Sequence, residues 1–150
     1  MFVGDSSSYV FRSEWRIAAS PDRVYAALAD VPSYPQWWHE VRETVQLSDT
    51  AGRLRCRSLL PYDLTMVLTR ELEDPVAHVL RARLEGDLNG VSTWTVTADG
   101  AGSLAVFDED VSVGKAAVRA AGRLARPALT YNHGRMMRSG ERGLRRYLST

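Results

Sequence analysis

The sequence is short of cysteine and of long apolar runs, and each shortage excludes a class of protein. One of its 150 residues is cysteine, Cys56, which excludes an internal disulfide and a cysteine-based zinc site. No apolar stretch approaches the ~20 residues of a membrane span. The first residues, Met1 to Asp5, lack the basic start and apolar run of a signal peptide. We therefore expect a cytoplasmic protein without a membrane span.

Charge is nearly balanced, although arginine supplies almost all of its positive part. The chain has 19 basic and 18 acidic side chains, a formal net charge of +1, and its one lysine is Lys115. This balance argues against a dedicated nucleic-acid binder, which usually has a basic excess. The three histidines lack metal-ligand spacing, and no glycine-rich loop precedes a helix. We therefore predict no metal, no cofactor and no phosphate or dinucleotide site.

The length fits one domain, and hydrophobic periodicity divides it into elements. Residues 1–8 are predicted to be a frayed end, and residues 9–150 a single domain. Alternation from Tyr9 to Ala18 predicts a strand, with Tyr9 and Phe11 on its apolar side. Ser20 and Pro21 predict the start of a helix that Pro32 ends. Residues 33–38 predict a second, shorter helical turn.

Further strands and a long helix follow. Alternating apolar residues predict six strands, over Val41–Leu47, Arg53–Leu60, Leu64–Leu72, Val76–Gly86, Val91–Ala98 and Leu104–Val113. From Lys115 the apolar period is helical. Pro127 interrupts it, which predicts a lead-in helix and then a main helix over Pro127–Leu148.

The turn near Asn89 fixes how two of these strands pair. A two-residue Asn89-Gly90 turn would place Leu84 beside Thr95. A three-residue loop, from Leu88 to Gly90, would pair Leu84 with Trp94 and Ala82 with Val96. We predict the three-residue loop, because it places both apolar sets on one face.

Several segments resemble the SRPBCC (START-like) superfamily. The opening of that superfamily looks like two stretches of this chain: Phe11–Ile17 followed by Ala19–Tyr25, and Leu28–Val31 before Tyr34–Trp38. The end of the chain is similar to the bacterial polyketide cyclase/dehydrase-like subgroup, in Asn132–Met137 and Gly140–Leu144. The resemblance covers about residues 9–148. It implies an α+β helix-grip fold, in which a seven-stranded curved antiparallel sheet wraps around a long C-terminal helix and two short helices follow the first strand.

The resemblance also implies a cavity between sheet and helix for a small hydrophobic or aromatic molecule, polyketide-like or lipid-like. Large inward side chains would line it, one tryptophan and a turn tyrosine would rim its mouth, and an amide would lie beside the helix histidine. These ligand-binding candidates are Trp38, Tyr62, Met66, Trp94, Phe107, Asn132, Met136 and Met137.

Three polar residues on inward positions are the catalytic candidates. Glu109 interrupts the apolar face of the last strand beside Trp94 or Ser92, where a desolvated carboxylate can act as general acid or base; a bulge that turns it outward, or an ion pair at the cavity mouth, is the alternative. Arg70 is inward by alternation and predicted near Leu80, about four residues along the sheet from Glu109. It would hold acidic oxygens, or extend to solvent instead.

His133 is the third candidate. It lies on the apolar stripe of the long helix and would either transfer protons or join helix to sheet as a satisfied polar group.

Three functions remain open. An enzyme of the cyclase, aromatase or dehydratase type would fold a polyketide-like chain, with an acyl carrier protein as a possible partner. A non-catalytic carrier needs only shape and a few polar anchors. A quinone-binding or ribosome-associated interaction module needs an exposed patch, for which the chain offers the arginines from Arg138 to Arg146.

Overall fold

A seven-stranded antiparallel sheet curves around the C-terminal helix in the computed structural model, which describes residues 8–58, 62–114, 119 and 125–149. The strands are β1 (Ser8–Ile17), β2 (Val41–Gln46), β3 (Ala51–Cys56), β4 (Leu64–Asp74), β5 (Val79–Gly86), β6 (Leu88–Asp99) and β7 (Gly102–Val113). Their order across the sheet is β1-β7-β6-β5-β4-β3-β2. The helices are α1 (Pro21–Ala29), α2 (Tyr34–Trp37) after a 3-10 turn (Val31–Ser33), and α3 (Ala125–Tyr147). This confirms the predicted helix-grip fold.

Several predicted boundaries differ from those observed, and three predicted segments lie wholly or partly outside the described residues. Ser8 already belongs to β1, and residues 1–7 are not described. Val76 and His78 lie in the turn before β5 rather than in the strand, because Val76 is 89% exposed and His78 has a φ of 57°. The lead-in helix before α3 lies, except for Arg119, outside the described residues, as do the last two positions of the predicted strand Arg53–Leu60.

The predicted register between β5 and β6 is also wrong. Leu84 pairs with Gly90, and Ala82 pairs with Ser92, because the chain reverses at Asp87 rather than over residues 88–90. Asn89 stabilises this tighter reversal by bonding both backbone groups of Gly86 through its side chain. The partner of Leu84 differs from the prediction by four positions, an even number. Every side chain therefore stays on the predicted face of the sheet.

The predicted position of Arg70 needs a similar correction. Arg70 pairs with Ala82, and the pairs Ala82–Ser92 and Ser92–Glu109 continue the same row across the sheet. Arg70 and Glu109 therefore share one row instead of lying four residues apart along the strands. Three strand spacings of ~4.8 Å still separate them. The register shifts just beyond Arg70, which turns the predicted inward residue Leu72 outward, where it is 44% exposed.

The C-terminal half of α3 is held against β1 and α2 by tryptophans. Trp15 packs edge-on against both Trp37 and Trp38, with ring centroids 6.2 Å and 5.2 Å away. The helix can approach them only because it has glycine there. A Cβ at Gly140 would lie 2.6 Å from Trp38 Cε2, and a Cβ at Gly143 would overlap the carbonyl oxygen of Trp37. This contact fixes the C-terminal half of α3, and the helix residues that line the cavity all precede it in the chain.

Two of the three glycines of α3, Gly143 and Gly134, give a matched test of this contact. We expect Gly143→Ala to lower the free energy of unfolding by about 2 kcal/mol, because a rigid backbone carbonyl must shift. Gly134→Ala should raise it by up to about 1 kcal/mol, since alanine favours a helix and the nearest group is the mobile end of Arg138. Urea denaturation of both variants measures the difference. Equal effects would contradict the proposed close approach.

Candidate functional site

An apolar cavity of about 210 Å³ lies between the sheet and α3. Its walls come from the inner face of the sheet, from the end of α1 with the 3-10 turn, and from one side of α3. Most of the predicted ligand-binding residues line it: Trp38, Met66, Trp94, Phe107, Asn132, Met136 and Met137. Tyr62 is not among the lining residues; it is half-buried and packs against the hydrophobic core.

Glu109 and His133 meet at the end of this cavity. Glu109 is 7% exposed, and regular pairing with Phe11 on one side and Ser92 on the other keeps its side chain on the inner face of the sheet. His133 comes from α3, and its Nε2 lies 3.4 Å from Glu109 Oε1. Within the described residues, Oε1 is buried with no hydrogen-bond partner. Two candidates from distant parts of the chain therefore come together in the wall of the cavity.

Aromatic rings set the position of His133. Its imidazole stacks on Phe11, with centroids 3.9 Å apart and planes 9° from parallel, and Phe107 stacks more distantly on it at 6.3 Å. Tyr9 follows in the same stack, 5.5 Å from Phe11. Tyr9 and Phe11 line the cavity and were missed as site residues, although alternation placed both on the apolar side of β1.

Arg70 lines the opposite part of the cavity, but its guanidinium is already engaged. One nitrogen donates to Glu73 at 2.9 Å, and another donates to the carbonyl oxygen of Ala29 at 2.8 Å. The second bond ties β4 to the end of α1, where the chain turns over the cavity wall. Arg70 is therefore placed to hold this wall, and an oxyanion would have to compete with its present partners.

Trp15, Trp37 and Trp38 form a tryptophan cluster, and Trp38 is its member that lines the cavity. Its indole Nε1 donates to the carbonyl oxygen of Met136 at 2.9 Å, so the ring is fixed between α2 and α3. Beyond it lies a polar recess, lined by His39, Glu40, Arg57, Ser58, Asn132, Arg135 and Met136. Arg57, Asn132 and Met136 line both spaces.

Burial also changes the chemistry of two neutral groups at the cavity. It raises the pKa of the Cys56 thiol from its usual 9.0 to about 12, with a smaller contribution from the negative charge of Glu109. It raises the pKa of Tyr34 as well, whose hydroxyl donates to the carbonyl oxygen of Leu28 at 2.6 Å. Both groups therefore stay protonated and uncharged at neutral pH.

Among the residues that the structure describes, no three histidine, cysteine, aspartate or glutamate side chains come together as metal ligands would. None of the helices in this part of the chain combines the length and the apolar character that crossing a membrane requires.

Comparison with known families matches nearly the whole chain. The model of the family described as polyketide cyclase/dehydrase and lipid transport matches residues 9–149. A search of curated proteins finds no match.

Solved structures share the fold at low sequence identity. TTHA0849 from Thermus thermophilus is 19% identical, with a TM-score of 0.76 over 94% of this chain and 100% of that one. The ZhuI aromatase/cyclase from Streptomyces sp. R1128 is 20% identical, with a TM-score of 0.75 over 91% of both chains. A START superfamily protein from Mycobacterium smegmatis is 17% identical, with a TM-score of 0.75 over 93% of this chain and 96% of that one.

The thiol of Cys56 gives a direct test of burial at the cavity. Because its pKa is about 12 in the folded protein, its thiolate fraction at pH 8 should be about a thousandfold below that of an ordinary cysteine. We expect iodoacetamide to leave the native protein unmodified at pH 8 and to alkylate it in urea. Stability should also fall as pH rises above 9, since only the unfolded chain releases the thiol proton there. Native alkylation at the unfolded rate would contradict this placement.

Proposed function

Because the chain belongs to the polyketide cyclase/dehydrase and lipid transport family, we propose that it binds a small hydrophobic or aromatic, polyketide-like molecule and closes or dehydrates a ring in it by proton transfer. The observation that carries this proposal is the contact of Glu109 with His133 inside an apolar cavity. Apolar walls hold a flat or folded chain by excluding water. A carboxylate with an imidazole beside it can move protons at carbons next to carbonyl groups.

The reaction is an intramolecular aldol condensation. Glu109 as carboxylate accepts a proton from the carbon between two carbonyl groups, and the resulting enolate carbon attacks a more distant carbonyl carbon to form the new C–C bond. His133 as imidazolium donates its proton to the alkoxide, and it regains one from Glu109 across their 3.4 Å contact. Dehydration removes a second carbon-bound proton and expels the hydroxyl group as water. No oxidant or reductant is needed.

The folded arrangement supports these roles in two ways. The stack of His133 on Phe11 holds the imidazole plane, so the distance between acid and base is set before substrate binds. The cavity walls around the pair are mostly apolar, which excludes the water that would quench an enolate. In this scheme Arg70 is a positioning residue that holds the end of α1 through Ala29. An acyl carrier protein would be the partner if the substrate arrives as a tethered thioester.

A non-catalytic carrier is the second candidate. It is favoured by the engagement of Arg70 with Glu73 and Ala29, because few polar groups then remain to act on a ligand. Carrier and enzyme differ in what Glu109 must do. In a carrier it is at most an anchor, whereas in the enzyme its basicity determines the rate.

Replacement of Glu109 by glutamine separates the two. We expect Glu109→Gln to lower cyclisation of a poly-β-ketone chain, supplied by a minimal polyketide synthase, by about 10²- to 10⁴-fold. The measurement is the rate of formation of the cyclised aromatic product. Asp110→Asn is the matched control, because Asp110 is the next residue of β7 and is exposed; its rate should equal that of the wild type.

Native mass spectrometry of Glu109→Gln completes the test. If the variant keeps its bound ligand and loses turnover, Glu109 is the base. If turnover of the poly-β-ketone is unchanged while the protein still carries a hydrophobic ligand, the carrier function replaces the enzyme.

A further inference from the structure

Near Glu109 the cavity wall has a second buried polar group that lacks a hydrogen-bond partner among the described residues. Tyr9 is 3% exposed and lines the cavity. Its hydroxyl, like Glu109 Oε1, has no hydrogen-bond partner among the described residues. A buried hydroxyl or carboxylate left unpaired costs free energy that a ligand atom can recover on binding.

The strand register places Tyr9 and Glu109 next to each other on the inner face of the sheet. Tyr9 pairs with Val111, two residues beyond Glu109 on β7, so the two are diagonal neighbours on the same face. Such neighbours lie ~7–8 Å apart at Cα, within reach of long and aromatic side chains. Tyr9 is also held in place. Its ring stacks on Phe11, and the guanidinium of Arg126, a residue of α3, lies 4.3 Å from the centroid of the Tyr9 ring.

The chemistry of the two groups is complementary. A carboxylate oxygen only accepts a hydrogen bond, whereas a tyrosine hydroxyl can donate one. A single ligand hydroxyl can donate to Glu109 Oε1 and accept from Tyr9 at the same time. A methyl group of similar size can do neither and would leave both protein atoms unpaired.

From this we infer that Tyr9 selects the ligand: together with Glu109 it recognises a phenolic or enolic hydroxyl on the aromatic or polyketide-like molecule. This inference rests on the proposed function, since it names the chemical class that the same cavity takes. In this scheme Tyr9 donates a hydrogen bond to the hydroxyl oxygen of the ligand, and Glu109 is the base. During ring closure the Tyr9 hydroxyl would donate to the enolate oxygen that forms beside Glu109.

Two probes of matched size test the inference. β-Naphthol and β-methylnaphthalene differ by a hydroxyl in place of a methyl group, and fluorescence titration gives the Kd of each. The quantity that matters is the ratio of the methylnaphthalene Kd to the naphthol Kd. We expect Tyr9→Phe to lower this ratio about two- to tenfold, the worth of one hydrogen bond.

Tyr25→Phe is the control. Tyr25 is also buried, and its hydroxyl also lacks a partner within the described residues, but it does not line the cavity. The ratio should therefore equal that of the wild type in Tyr25→Phe. A structural role of Tyr9 would weaken both probes together and leave the ratio unchanged, which would overturn the inference. An equal fall of the ratio in Tyr25→Phe would overturn it as well.

The same titrations distinguish a failure of the proposed function from a failure of the role of Tyr9. If the wild type binds neither probe, the cavity does not take small aromatic molecules, and both proposals fall. If it binds both probes but Tyr9→Phe keeps the ratio, ligand binding stands and only the role of Tyr9 is lost.

Discussion

The close contact between α3 and the tryptophan cluster is the constraint on which the site depends. Glycines at positions 140 and 143 let the helix axis approach Trp15, Trp37 and Trp38 more closely than any side chain would allow. One sheet and one helix cannot fill the curved space between them at both ends. Because the C-terminal half of α3 is packed against the tryptophans, the cavity is lined by the other half of the helix. His133, seven residues or ~10 Å along the helix from Gly140, lies in that half, where it reaches Glu109.

Much of this arrangement follows from a period of two along each strand. Alternation placed Glu109 inward, and the structure agrees, because no bulge interrupts β7 between Phe107 and Val111. The wrong turn at residues 88–90 did no harm to the predicted faces, since an even register error preserves them. Alternation failed for Leu72, where a shift in pairing beyond Arg70 turns the side chain outward.

The pairing of Glu109 with His133 could not be predicted, because it depends on long-range geometry. Which helix residue meets which strand depends on the rotation of α3 about its axis and on the distance of α3 from the sheet. The local hydrophobic period of the sequence determines neither quantity. The same holds for Arg70. Its inward position was predictable from alternation, but its bonds to Glu73 and Ala29 depend on how α1 ends above β4. Sequence therefore specified candidates, and packing decided which of them meet.

Energetics gives the last reason to place function at this end of the cavity. A buried polar atom without a hydrogen bond costs ~1–3 kcal/mol, and the 3.4 Å contact of Glu109 Oε1 with His133 offsets only part of that cost. An apolar side chain at position 109 would stabilise the fold more than glutamate does, because the neighbours Phe107, Phe11 and Trp94 are aromatic. In the proposed function, a ligand hydroxyl at this point would supply the missing hydrogen bond. The same oxygen of Glu109 would accept the proton in the reaction.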